Sequence, residues 1–140
     1  MKKLLLTFAT LLLLVSSGRL ALAREKFVIS IEQLQKMFTN MRTNPGSNKW
    51  NVDGPLLWGY FFTDPNSEKL KLVADDLSSK GYRFVSIYPT DDKSTFFLHV
   101  EKVEHHTPES LNIRNIEFDD LADRFNLESY DGMDVGLVGK

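Results

Sequence analysis

Apolar residues recur along this chain in two rhythms, one helical and one strand-like. Ile31, Leu34, Phe38 and Met41 fall at helical spacing. Ser30, with Gln33 three residues on, supplies a capping-box pair ahead of them. Asn44-Pro45-Gly46-Ser47-Asn48 ends that helix with turn chemistry. Leu56-Leu57-Trp58-Gly59-Tyr60-Phe61-Phe62 predicts a strand over 55–63 that is apolar on both faces, so both must be covered or used. Asp64 and Pro65 suit the cap and first position of a second helix, whose stripe is Leu70, Val73, Ala74 and Leu77 and whose stop is Gly81. A second strand over 82–88 sets Tyr82 and Phe84 on one face, Val85 and Ile87 on the other. The turn Pro89-Thr90-Asp91-Asp92-Lys93 predicts an antiparallel return over 94–103. Thr107-Pro108 opens a last helix with Leu111, Phe118, Leu121, Ala122 and Phe125 inward and Ile113 and Ile116 widening the stripe. A Gly-rich tail, Tyr130 to Gly136, closes the pattern.

Helix, strand, helix, strand, strand, helix is most of a ferredoxin-like α+β sandwich: a mainly antiparallel sheet with helices on one face, plus an extra N-terminal helix. The tail must provide the fourth strand, or the sheet lacks it. Phe61, Leu70, Val73, Leu77, Val85, Ile87, Phe118, Leu121 and Phe125 are the expected core. Trp58, Tyr60 and Phe62 share a face that the first helix is expected to cover, since an exposed aromatic patch is a liability.

The N-terminus changes the setting. Lys2 and Lys3, an uncharged apolar run from Leu4 to Val15, and Ala21-Leu22-Ala23 form the three zones of a secretory signal over residues 1–23. The run of 12 falls short of the about 20 apolar residues that span a bilayer, so no stable membrane anchor is expected after cleavage. Residues 24–54 then form the N-terminal helix and linker, and 55–140 the α+β domain. Removing the signal leaves 14 Lys and Arg against 19 Asp and Glu, a balance of −5. That lacks the basic footprint of nucleic-acid binding. With no cysteine there is no disulfide, thiol nucleophile or cysteine-based metal site. The expected location is the periplasm or the outside of the cell.

All three histidines lie in His99-x-Glu101-x-x-Glu104-His105-His106. In a strand His99 and Glu101 share a face about 7 Å apart, and imidazole with carboxylate suits zinc. The spacing matches no established zinc signature, and Thr107-Pro108 bends the chain at the histidine pair. No Gly-x-Ser-x-Gly elbow is present. Asp75-Asp76, Asp91-Asp92 and Asp119-Asp120 read as solvated surface, and Asp131-Gly132-Met133-Asp134 lacks the ligand pattern of a calcium loop. No catalytic residue and no cofactor are expected.

Three stretches carry a resemblance: Pro55 to Phe62, Leu98 to Pro108, and above all Tyr130-Asp131-Gly132-Met133-Asp134-Val135-Gly136. Over roughly 85 residues they resemble the RraB family, named for a regulator of ribonuclease E activity. The resemblance implies a ferredoxin-like fold and a non-catalytic role through contact with a protein partner. An export signal separates this chain from a cytoplasmic ribonuclease. The reading is therefore an exported protein-binding or inhibitor domain, with an immunity-type inhibitor of a periplasmic toxin as one form. Asp91, Asp92, Asp119, Asp120, Asp131 and Asp134 are its candidate contact residues. The alternative is a small metal-binding or hydrolytic domain using His99, Glu101, His105 and His106.

Overall fold

Ser30 accepts from the backbone of Gln33 while the Gln33 side chain accepts from the backbone of Ser30, and helix α1 (Ile31–Thr43) starts there. In this computed structural model, which describes residues 29–139, it is followed by a 3-10 turn at Gly46–Asn48 and by strand β1 (Leu56–Asp64). Then come α2 (Ser67–Ser79), β2 (Arg83–Pro89), β3 (Phe96–Glu104), α3 (Pro108–Arg124) and β4 (Ser129–Gly136). The expected export signal lies outside the described residues. Among those residues, no helix is long and apolar enough to cross a membrane.

The four strands form one sheet in the order β2-β3-β1-β4, antiparallel at every contact. The helices lie on one face, and the tail does supply the fourth strand. The Tyr82 strand is an edge: β3 lies between it and β1.

Trp58, Tyr60 and Phe62 are buried as expected, but the first helix is only part of their cover. Phe38 of α1 reaches Trp58, with ring centroids 6.2 Å apart. Tyr60 and Phe62 pack instead on Phe118 of α3, at 4.8 and 5.4 Å. Leu70, Val73 and Leu77 seal the α2 side, and Leu121 the α3 side.

Several expected core positions are corrected. Val85 is the extra residue of a bulge between Phe84 and Ser86, opposite Val100 and His99, and it is exposed. The extra residue flips the alternation, so Phe84 and Ile87 end on the helix side together. Phe61 faces away from the helices and is half-buried, whereas Ile87 and Phe125, also half-buried, do pack against the core. Ile113 and Ile116 are exposed on α3, so the apolar stripe there is narrower than expected. Asp64 ends β1 instead of capping α2: Asn66 is the cap, and Asp64 accepts from the backbone of Asn66 and Glu128.

Candidate functional site

Strand alternation leaves one sheet face without a helix. Leu57, Gly59, Phe61 and Thr63 of β1 point to it, and β3 sets Val103, Glu101, His99 and Phe97 directly beside them. Arg83 of β2 pairs with Glu101 and forms an ion pair with it. Phe61 and His99 stack with ring centroids 4.5 Å apart, and Tyr88 stacks on Phe97 at 5.5 Å. The Trp58, Tyr60 and Phe62 face is core, as expected, and the opposite face of the same sheet carries a second aromatic surface that alternation hid.

Gly59 shapes the centre of this face. It pairs with Glu101 on one side and Asp134 on the other. A methyl group added there would overlap Asp134 Oδ1 and come within 2.8 Å of His99 Nε2. Lacking one, the strand lets the Asp134 carboxylate and the His99 imidazole close over its backbone, and this spot is the niche of the open face. His99 Nε2 lies 4.0 Å from Glu101 Oε2 and has no hydrogen-bond partner among the described residues. Burial holds the imidazole below its ordinary value, with the charge of Arg83 acting the same way and Asp134 opposing. His99 is thus neutral at neutral pH. Beside the niche, Asp131 is the extra residue of a bulge in β4, permitted by Gly132 at φ 100°. Burial raises its carboxyl above the usual range.

A second polar group lies on the helix side of the sheet. Tyr60 Oη donates to Glu104 Oε2 at 2.6 Å, and His106 Nε2 lies 2.9 Å from the same oxygen. Arg114 Nη2 donates to Glu104 Oε1 at 2.8 Å, and His106 Nδ1 lies 2.9 Å from Ser110 Oγ. Burial pushes the Glu104 carboxyl up, but hydrogen bonds with His106 and Tyr60 and the charge of Arg114 outweigh it and bring it to about 2. The same burial, with Glu104 beside them, raises the Tyr60 and Tyr82 phenols. This group ties α3 to the sheet.

The expected histidine cluster does not assemble. His99 points to the open face, His106 is buried on the helix side, and His105 is exposed between them in sequence. Among the described residues no group of three or more His, Cys, Asp and Glu could hold a metal ion.

The candidate contact acids also separate. Asp91 and Asp92 are exposed in the β2–β3 turn, where Asp92 accepts from Thr90 and Ser94 and is brought to about 2 by those bonds. Asp120, Asp131 and Asp134 are exposed, the last two flanking the niche. Asp119 is 5% exposed and belongs to the packed side of α3, so it cannot serve in a surface patch. Gly59, Phe61 and Arg83 were missed as site residues. A lone glycine inside an aromatic strand is the signal that marks such a spot.

A model of the family described as regulator of ribonuclease activity B matches residues 32–135. The chain belongs to that family. The match begins inside α1 and ends in β4, so the family's span takes in the N-terminal helix as well as the sheet. No curated protein and no solved structure matches the chain. Membership makes this a regulatory domain of a kind that works by binding protein partners.

Proposed function

We propose that the chain is an exported, non-catalytic inhibitor that docks a basic segment of a partner protein on the open face of its sheet. The observation that carries this reading is the niche over Gly59. There Asp134, Glu101 and the unpartnered Nε2 of His99 converge on a spot that lacks a side chain. A lysine or arginine set over it meets the exposed Asp134 carboxylate, with Glu101, paired to Arg83, and the imidazole behind it and Phe61 and Phe97 offering apolar contact around it. Asp131, and more remotely Asp91, Asp92 and Asp120, extend the acidic field that would steer such a partner. A secreted toxin held in check by an immunity-type inhibitor fits this chemistry and the export signal. The ribonuclease of the family's name is a cytoplasmic target that an exported chain does not meet.

Two results are expected. Intact mass of the protein recovered from the cell envelope should correspond to a chain beginning at Arg24. Recovery of the uncleaved chain from the cytoplasm alone would remove the export half of the reading.

Secondly, the full chain should capture a specific basic protein from envelope extracts, and Asp134→Lys should slow association at least about tenfold at low salt. Gly59→Ala should weaken the same complex with little effect on folding, because the atoms its methyl group displaces are the ends of movable side chains. Equal capture by both variants would place the contact surface elsewhere.

A further inference from the structure

The helical side of the molecule carries the opposite charge. Between the end of α2, β3 and α3 lies a cavity of about 280 Å³ whose floor is Leu77, Tyr82, Phe118 and Leu121. Its rim is Lys80, Lys102, Arg114 and Arg124, with Glu117 as its only carboxylate. A second cavity of about 460 Å³ shares Lys102, Arg114 and Glu117 with it and runs on past Ile113 to His105. Lys80 is ion-paired with Asp76 at 2.7 Å and Arg114 with Glu104 and Glu117, so Lys102 and Arg124 carry the positive charge that the cleft leaves unbalanced.

These cations are held in place. Lys102 Nζ sits 4.7 Å over the Tyr82 ring and donates to the backbone carbonyl of Lys80 at 3.2 Å, so its hydrogen-bond partner there is not a carboxylate. Arg114 is fixed by Glu104 and Glu117 through its two terminal nitrogens. Its Nε–H is shielded from solvent and has no acceptor among the described residues. The cleft therefore combines an apolar floor with the positive charge of Lys102 and Arg124.

We infer that this cleft is a second binding site, for an acidic peptide segment of a protein partner with one bulky apolar side chain between its carboxylates. The smaller cavity has room for about one large side chain, below the usual size of a whole small-molecule site. The larger one leaves space for the flanking residues. Carboxylates flanking the buried group would face Lys102 and Arg124. A nucleic-acid strand fits less well. Tyr82 is 6% exposed and offers no open ring face for a base to stack on.

The test is fluorescence anisotropy of a fluorescein-labelled Glu-Glu-Phe-Glu-Glu peptide titrated with the full chain. Saturable binding that weakens with salt is expected. The double substitution Lys102→Gln with Arg124→Gln should weaken it at least about tenfold, with the thermal unfolding midpoint unchanged. Exchanging the peptide's Phe for Ser should weaken it comparably. Glu117→Gln should tighten it, which keeps the test decisive if the double variant folds poorly.

Lack of saturation, equal affinity in the double variant, or tighter binding of a single-stranded RNA oligonucleotide of equal charge would each overturn the assignment. The inference is independent of the open face. Asp134→Lys should leave peptide binding unchanged, and the cleft variants should leave capture of the basic partner unchanged.

Discussion

Replacing Phe118 with Ala should cost about 3–5 kcal/mol of folding stability. The ring is 4% exposed and sits where α3 meets the sheet. Its centroid lies 4.8 Å from Tyr60, 5.4 Å from Phe62, 5.4 Å from Tyr82 and 5.6 Å from Tyr130. Four rings from two strands and the residue preceding β2 cannot all move inward to fill the space it leaves. Tyr130 is bonded to Asn115 at 2.7 Å and Tyr60 to Glu104 at 2.6 Å, so two of the four are tethered. The cavity should therefore persist, and its cost adds to the lost burial of the ring. Phe118→Leu, which retains most of the volume, should cost much less. Urea unfolding of the three proteins, compared at constant slope, measures both differences. A loss below about 1 kcal/mol for the alanine variant would mean that these rings repack or that α3 does not rest on them.

Two helix starts were legible because their signals are local, whereas α2 is capped by Asn66 in place of the expected Asp64. Ser30 with Gln33, and Thr107 with Pro108, cap where the pattern placed them. At the latter helix Ser110 completes the box in place of a glutamate. Strand faces were less legible because face depends on counting by two, and one inserted residue reverses the count. Phe84-Val85-Ser86 contains no glycine or proline to announce its bulge. The bulge at Asp131 does carry such a mark in Gly132, whose positive φ suits a glycine. Asp119 misled for a different reason. An Asp-Asp pair on a helix points its members about 100° apart, so one can be wet and the other packed.

The functional surfaces were hidden by the same geometry. His99, Glu101 and Glu104 look like one cluster along the sequence, yet an odd offset sends Glu104 through the sheet from the other two. Conversely Asp134 and His99 are far apart in sequence and meet over Gly59 only because β4 and β3 both pair with β1. The basic cleft was invisible to net charge. Lys80 at the end of α2, Lys102 in β3 and Arg114 and Arg124 in α3 are brought together only by the fold, and an acidic total says nothing about where the cations gather. What the sequence did carry was the family signature. Its final stretch proves to be the edge strand that borders the niche.

Removing the Glu104 carboxylate should rival the loss of Phe118, through electrostatics instead of packing. Glu104→Ala leaves the Arg114 guanidinium, the His106 imidazole and the Tyr60 hydroxyl facing a space that no longer accepts from them. Breaking a buried ion pair on one side costs about 3–5 kcal/mol. Glu104→Gln keeps one acceptor oxygen and should lose less.

The dependence on pH distinguishes this cause from simple loss of contacts. The carboxyl stands at about 2 in the folded chain against an ordinary 4.5. A depressed acid contributes fully above its unfolded value and loses that contribution as pH falls through its folded value. The carboxylate's share, on the order of 2–3 kcal/mol, should therefore be complete above about pH 5 and fade towards pH 2. Urea midpoints of the native chain and of Glu104→Gln, taken between pH 2 and pH 7, should converge at the acid end. A gap that stays constant over that range would show that Glu104 acts by shape alone, and that the charge on Arg114 is satisfied by Glu117.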